Sequence, residues 1–311
     1  MTAVPLGDGR EFDRIRAIAA ELGARAEGLG DDCAVVAWPG GVLVLSTDVS
    51  VEEVHFRREW LSLEEIGWRA AAAALSDLAA EGAAMVGLLA AVTVPRDASD
   101  DEVASLMRGV GAAAAFAGGP VLGGDLSGGE CWSVAVTVVG RAERPVTRAG
   151  ARPGDGLWVT GALGGARAAL EAFRASGEPA PAARLRFAHP EPRIVAGRWL
   201  AAAGAHAMLD LSDGLGRDLG HLAAASGTAL EVTLDALPVH PDADVEWAAA
   251  GGEDYELLAA LPPDFDEAAA RRCLAETGVP LTRIGRVAEG AGVRCTLRGE
   301  SRHPAGWDHF A

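Results

Sequence analysis

The 311-residue chain contains no lysine, no asparagine and no glutamine. All 27 basic side chains are therefore arginine, and 44 acidic side chains give a formal net charge of −17. Without lysine there is no P-loop lysine, no protein-kinase strand lysine and no Schiff base to a pyridoxal cofactor. Without asparagine there is no N-glycosylation site. Any phosphate chemistry in this protein must therefore use metal ions, arginine or backbone amides.

Other features are scarce as well. The acidic excess argues against an extended nucleic-acid interface, because such surfaces need clustered positive charge. The four cysteines form no CxxC pair, which argues against a zinc site or a disulfide framework. No apolar run is long enough to span a membrane, and residues 1–16 carry acidic side chains without the apolar segment of a signal peptide. We predict a cytoplasmic protein that binds neither nucleic acid nor membranes.

The length suits two domains of roughly 100–200 residues each. Around residues 143–154 the composition changes to arginine, proline and glycine, which predicts a boundary between residues 1–143 and residues 144–311. Strands alternate with helices on both sides of this boundary. The predicted fold class is therefore α/β (α+β) with two domains.

Several local structures can be predicted from the pattern of residues. Ser62 and Glu65 form a capping box, and the alanine-rich run that follows predicts a helix that a neighbour can approach closely. Residues 41–45 read as a buried strand that ends at Ser46-Thr47-Asp48. The strand that begins at residue 121 is predicted to be interrupted by a flexible turn, Gly123-Gly124-Asp125.

Aspartates recur beside glycine, serine or threonine at predicted strand ends: Asp31-Asp32, Thr47-Asp48, Asp125, Asp210 and Ser212-Asp213. Strand ends in α/β folds are where ligands collect, and carboxylate and hydroxyl oxygens are the ligands that Mg²⁺ prefers. These residues predict a carboxylate cage that holds a magnesium–nucleotide complex. The alternatives are helix capping, above all for Asp213, and plain turn formation, as for Asp31 and Asp32. Spacing alone does not show that the turns converge.

Three further features have two interpretations each. The glycine-rich segment 161–165 follows a strand and is typical of an anion-binding loop, but it lacks the full dinucleotide fingerprint. Arg148 could bind a phosphate or could be one of many exposed, solubilising arginines. His55 could contact a substrate or could be a partly buried packing residue.

Taken together and in order, the motifs of this chain resemble those of the thiamine-monophosphate kinases, within the superfamily that includes aminoimidazole ribonucleotide synthetase. The resemblance spans nearly the whole chain. The matching stretches are Gly28-Leu29-Gly30-Asp31-Asp32, Ser46-Thr47-Asp48, Val54-His55-Phe56, Leu75-Ser76-Asp77-Leu78, Gly123-Gly124-Asp125, Thr147-Arg148, Asp210-Leu211-Ser212-Asp213-Gly214, Gly251-Gly252-Glu253-Asp254 and Trp307-Asp308-His309-Phe310.

The resemblance implies ATP-dependent phosphorylation of thiamine monophosphate, with several Mg²⁺ ions as cofactor. It also implies a homodimer in which the N-terminal mixed-sheet domains pair to close a barrel, and a C-terminal α/β domain that completes the site. The implied metal ligands are Asp32, Ser46, Thr47, Asp48, Asp77, Asp125, Asp210 and Asp213. The implied ATP contacts are Gly124, Asp125, Arg148 and Ser212, and the implied substrate contacts are His55, Glu253 and Trp307.

Direct in-line transfer of a phosphoryl group to a phosphate oxygen needs no general base, so a carboxylate-rich, lysine-free site is adequate. Two alternatives remain open: another ATP-using enzyme of the superfamily, or a non-catalytic protein that binds nucleotides or divalent cations. The chain departs from the family pattern at four positions: Glu53 replaces a glycine, Ala74 an asparagine, Leu126 a threonine and Pro304 an aromatic residue.

Overall fold

The computed structural model describes residues 5–25 and 29–308. Gly28, His309 and Phe310 of the predicted motifs lie outside these residues. The described helices are α1 (Arg10–Leu22), α2 (Leu63–Ala80), α3 (Asp100–Phe116), α4 (Gly165–Arg174), α5 (Pro181–Ala188), α6 (Ile194–Ala202), α7 (Leu215–Ser226), α8 (Val245–Ala250) and α9 (Glu267–Thr277). The described strands are β1 (Ala34–Trp38), β2 (Gly41–Val51), β3 (Ala84–Pro95), β4 (Val121–Gly129), β5 (Ser133–Ala142), β6 (Gly156–Thr160), β7 (Ala207–Asp210), β8 (Ala229–Thr233), β9 (Leu257–Leu261), β10 (Leu281–Ala288), β11 (Gly292–Leu297) and β12 (Glu300–Arg302).

The N-terminal strands form one mixed sheet in the order β1-β2-β5-β3-β4. The pair β3 and β4 is parallel, and the other pairs are antiparallel. Helices α2 and α3 cover one face, and burial alternates along β5 as expected for a sheet that packs on one side. Exposed side chains on the other face include Val36, Trp38, Val49 and Leu89. We call this surface the open face.

Two predictions about strand ends were wrong. Ser46, Thr47 and Asp48 lie in the middle of β2, which continues to Val51 because every residue from Val42 onward pairs with β5. Gly123, Gly124 and Asp125 do not interrupt β4 but pair in register with β3. Strand pairing with a distant neighbour extends both strands through residues whose local composition favours turns.

The predicted α2 helix is confirmed, including the Ser62–Glu65 capping box. The small residues of α2 allow the backbone of α3 to pack directly against the backbone of α2. A Cβ atom on Gly67 would lie 2.0 Å from the carbonyl oxygen of Leu106, and one on Gly109 would lie 1.8 Å from that of Glu64. The prediction of close helix approach is therefore confirmed.

This crossing gives a stability prediction. We expect Gly109→Ala to lower the free energy of unfolding by roughly 2 kcal/mol or more, because the added methyl group forces two helix backbones apart. Gly111→Ala is the matched control, since the same change in the same helix meets no atom within 4 Å. It should stabilise the protein by up to ~1 kcal/mol through helix propensity. Urea unfolding of both variants measures the change in the free energy of unfolding. Equal changes for Gly109→Ala and Gly111→Ala would contradict a tight crossing of α2 and α3.

The C-terminal strands form a second sheet in the order β12-β11-β8-β10-β6-β9-β7. The structure thus has the predicted α/β character, with two sheets and their covering helices. One continuous core joins the two parts, because Leu75 and Leu88 belong to the same buried cluster as Trp158 and Phe187. None of the described helices combines the length and apolar character needed to cross a lipid bilayer.

Candidate active site

Three carboxylates from distant parts of the chain meet where the two sheets adjoin. Asp32 precedes β1, Asp77 lies in the last turns of α2, and Asp210 ends β7. One carboxylate oxygen from each lies within 4.8 Å of the others. The hydroxyl of Ser46 donates to Asp77 Oδ2 at 2.5 Å, which fixes Asp77 against β2. We call Asp32, Asp77 and Asp210 the carboxylate cluster.

The electrostatics of the carboxylate cluster are unfavourable for three negative charges. Burial and the neighbouring charge of Asp32 raise the pKa of Asp210 to about 8. Burial, together with Asp48 and Asp210, raises the pKa of Asp77 well above its usual range. Burial and Asp32 raise the pKa of Asp48 to about 6. Bound divalent cations would remove this repulsion, and the oxygen-only donor set fits a hard cation.

Arg148 is the cation that the structure places beside this cluster. Its Nη2 lies 2.5 Å from Asp32 Oδ1, and its Nε donates to Asp32 Oδ2 at 3.1 Å. Its backbone N–H donates to Asp31 Oδ1 at 3.0 Å. The interpretation of Arg148 as an exposed, solubilising residue is therefore wrong, as is that of Asp31 and Asp32 as a solvated turn.

Most of the predicted residues line one cleft of about 1440 Å³ between the two domains. Besides the carboxylate cluster, they are Ser46, Thr47, Asp48, His55, Arg148, Ser212, Asp213, Glu253 and Trp307. The Thr47 hydroxyl points to the open face, where it lies 2.9 Å from the hydroxyl of Thr137. His55 Nδ1 accepts from the N–H of Val51 at 3.1 Å, so its Nε2 carries the proton when the ring is neutral.

Gly124 and Asp125 lie outside this cleft. Thr47, Thr137, Leu89 and Gly123 form one row across β2, β5, β3 and β4, and Asp125 is two residues beyond this row. Three strand spacings separate β2 from β4, which is about 14 Å. Asp125 and Thr47 therefore cannot share an ion within one chain.

The glycine-rich loop does bind an anion, but the anion is a side chain of the protein. The N–H groups of Gly164 and Ala166 donate to the Asp254 carboxylate at 2.7 and 3.3 Å. These amides at the start of α4 therefore already bind a carboxylate of the protein itself.

The predicted capping of α7 by Asp213 is wrong. The cap residue is Gly214, and the Asp213 carboxylate lies 3.3 Å from Arg217.

Sequence reasoning missed two features of the cleft. Arg69 of α2 is almost fully buried, forms an ion pair with Glu253 and donates to the carbonyl of Phe187 at 2.5 Å. Arg69 of the N-terminal domain thus holds the carboxylate of Glu253, the candidate substrate contact in the C-terminal domain.

The second feature is the backbone of Glu253 and Glu53. Both adopt left-handed backbone angles, with φ of 70° and 65°. Glu53 stands where the family pattern has glycine, the residue that adopts positive φ angles most readily. The family pattern therefore already indicated a left-handed backbone at position 53.

The chain matches known proteins over most of its length. The N-terminal domain family of AIR synthase related proteins matches residues 30–142, and the C-terminal domain family matches residues 152–298. A thiamine-monophosphate kinase from Halobacterium salinarum is 39% identical over 297 residues, which cover 93% of this chain and 97% of that protein. The chain belongs to the thiamine-monophosphate kinase family. A second family member, from Aquifex aeolicus, is 35% identical and covers 91% of this chain and 92% of its own length.

Solved structures of the thiamine-monophosphate kinase family have the same fold. The structure described as AaThiL complexed with AMPPCP and TMP superposes with a TM-score of 0.87 at 35% identity, covering 96% of this chain and 97% of that one. The hydrogenase maturation protein HypE in complex with ATP, at 20% identity and a TM-score of 0.71, shares the fold alone. The two domain matches leave residues 143–151 between them, and the boundary after residue 143 stays a prediction.

Proposed function

We propose that this protein transfers the γ-phosphoryl group of ATP to thiamine monophosphate and releases thiamine diphosphate and ADP. The observation that carries the proposal is the carboxylate cluster, whose oxygens lie within 4.8 Å of one another in a cleft between two domains. Membership of the thiamine-monophosphate kinase family supports it, as does the relative whose structure is described with AMPPCP and TMP.

Several Mg²⁺ ions fit the donor set of this cleft, which consists of carboxylate and hydroxyl oxygens. The residues proposed to hold them are Asp32, Ser46, Thr47, Asp48, Asp77, Asp210 and Asp213 of one chain, together with Asp125, which lies outside the cleft of its own chain and would come from a second copy. When bound, such ions neutralise phosphate charge and stabilise the phosphoryl group during transfer. The raised pKa values of Asp77 and Asp210 are consistent with this role, because a cation-binding site without its cation holds mutually repelling carboxylates close together.

The remaining residues bind and orient the two substrates. Arg148, held by Asp31 and Asp32, presents a guanidinium group to the ATP phosphates, with Ser212 as a further ATP contact. Gly124, which lies outside the cleft of its own chain, would contact ATP from a second copy, like Asp125. Glu253 and His55 face thiamine monophosphate, and the half-exposed ring of Trp307 offers a stacking surface. An oxygen of the substrate phosphate attacks the γ-phosphorus as the bond to ADP breaks, and no side chain needs to remove a proton.

We also propose that the protein is a cytoplasmic homodimer that pairs through the open face. This face exposes Val36, Trp38, Val49 and Leu89, between 41% and 60% of each. A contiguous apolar sheet face of this kind marks an interaction surface. Thr47 and Asp125 both lie on strands of this face, and we propose that in the dimer the Asp125 of one chain lies near the Thr47 of the other.

The proposed dimer can be tested by introducing one charged side chain into the open face. We expect Leu89→Glu to raise the dissociation constant of the dimer by roughly 100-fold or more, because each copy then buries an unpaired carboxylate. Size-exclusion chromatography with light scattering at micromolar concentration measures this. Val195→Glu is the matched control, since Val195 is 60% exposed on α6 in the other domain. A Leu89→Glu protein that stays dimeric would refute the open-face interface.

The activity is tested by incubating the purified protein with ATP, Mg²⁺ and thiamine monophosphate and separating the products by chromatography. Thiamine diphosphate and ADP should form in equal amounts. Thiamine and aminoimidazole ribonucleotide precursors serve as competing substrates in parallel reactions. If the folded protein forms no thiamine diphosphate at saturating Mg²⁺, the proposed function is wrong.

Metal removal gives a separate prediction. ATP with Mg²⁺ should raise the melting temperature, because a ligand that binds only the native state stabilises it by mass action. With EDTA present the ATP-dependent gain should vanish, since the anionic cleft repels free ATP. Differential scanning fluorimetry measures both conditions. An equal gain with EDTA would mean that ATP binds without a cation.

A further inference from the structure

A second group of potential metal ligands lies at the start of α7. Asp213 precedes the helix, and Asp218 and His221 are three residues apart on one helical face. One carboxylate oxygen of Asp213, one of Asp218 and one ring nitrogen of His221 all lie within 4.8 Å of one another. Of these residues, only Asp213 belongs to the ligand set proposed for the cleft.

The imidazole of His221 is the observation that points to a ligand. The residue is only 5% exposed, yet among the described residues neither Nδ1 nor Nε2 has a hydrogen-bond partner. Buried polar groups almost always have such a partner. One nitrogen of a neutral imidazole carries a lone pair that can accept a hydrogen bond or bind a cation. A neutral imidazole is the form that coordinates a metal ion.

The surroundings of His221 close this site on one side. The Phe12 ring of α1 lies 4.1 Å from the imidazole ring, and a Cβ atom on Gly7 would lie 2.5 Å from Nδ1. Asp218 is 3% exposed and accepts a hydrogen bond from the N–H of Gly214 at 3.1 Å. The Arg217 Nε lies 3.3 Å from Asp213 Oδ2, and a carboxylate can hold an arginine and a cation on different oxygens.

We propose that Asp213, Asp218 and His221 bind a divalent transition-metal cation such as Mn²⁺. Two carboxylates and one imidazole suit Mn²⁺, whereas Mg²⁺ takes oxygen ligands and seldom an imidazole. The ion satisfies the otherwise unpartnered imidazole and neutralises two adjacent carboxylates. The inference concerns cation binding alone, so its success or failure is separate from that of the kinase activity.

The test uses Mn²⁺ as the probe and pulsed electron paramagnetic resonance as the readout. Metal-free full-length protein is loaded with Mn²⁺ and examined for electron spin-echo modulation from a coordinated histidine nitrogen. Labelling with ¹⁵N-histidine should change this modulation. We expect His221→Gln to abolish it and to weaken Mn²⁺ binding at this site by at least ~10-fold, the smallest effect usual for metal-site substitutions.

Two histidine variants serve as controls. His240→Gln removes a buried histidine between β8 and α8 and should leave the modulation intact. His55→Gln removes the histidine of the cleft and should also leave it intact. The proposal is overturned if the wild-type protein shows no histidine modulation, or if His55→Gln rather than His221→Gln removes it. A wild-type protein without histidine modulation overturns the proposal even if His221→Gln fails to fold.

Discussion

Asp77→Asn should reduce kcat/KM by roughly 10³-fold, a loss of about 4 kcal/mol of transition-state stabilisation, while the metal-free protein melts no earlier than wild type. The Asp77 carboxylate lies within 4.8 Å of those of Asp32 and Asp210, so removing its charge removes repulsion from the metal-free state. The amide oxygen of asparagine can still accept from the Ser46 hydroxyl. Loss of activity without loss of stability would indicate that the charge of Asp77 serves catalysis and not folding.

Steady-state kinetics and melting curves recorded in EDTA measure the two halves of this prediction. Asp97→Asn is the control, because Asp97 is an exposed carboxylate in the turn between β3 and α3. It should change neither quantity. If Asp77→Asn keeps its activity within about tenfold, the carboxylate cluster does not hold the catalytic metal. If it lowers both activity and melting temperature, Asp77 has a structural role instead.

Co-expressed Asp77→Ala and Asp125→Ala chains should recover about a quarter of wild-type activity, although each variant alone is inactive. Asp77 lies in the cleft, whereas Asp125 lies on β4, three strand spacings from Thr47. If Asp125 serves the cleft of the other chain, a mixed dimer has one site with both defects and one site with neither. Random pairing makes about half of all dimers mixed, and half of their sites are intact.

The experiment requires two different affinity tags, so that the mixed dimer can be purified and should show about half of wild-type activity. Asp77→Ala paired with Asp32→Ala is the control, because both residues belong to the cluster of one chain. In that dimer each site carries one defect, and no activity should return. No recovery with Asp125→Ala would mean that Asp125 does not act across the dimer.

Local sequence alone determined several elements of this protein. The Ser62–Glu65 capping box and the alanine run after it give α2, and glycines 67 and 109 permit the close crossing with α3. These signals depend on neighbours within a few residues, so they can be read from a single chain. Asp32 and Asp210 of the carboxylate cluster were also identifiable from the residues beside them, whereas Asp77 was implied only by the resemblance to the family.

Tertiary structure decided which of those aspartates meet. Asp32, Asp77 and Asp210 are separated by 45 to 178 residues and come from a loop, a helix and a strand end, so no spacing rule brings them together. Pairing with β5 turned Ser46-Thr47-Asp48 from a predicted strand end into the middle of β2, with Ser46 and Thr47 on opposite faces. Pairing with β3 carried Asp125 away from the cleft. The sequence therefore determined which groups are candidates for the chemistry, whereas long-range strand register determined their positions, because side-chain direction alternates with every residue along a strand.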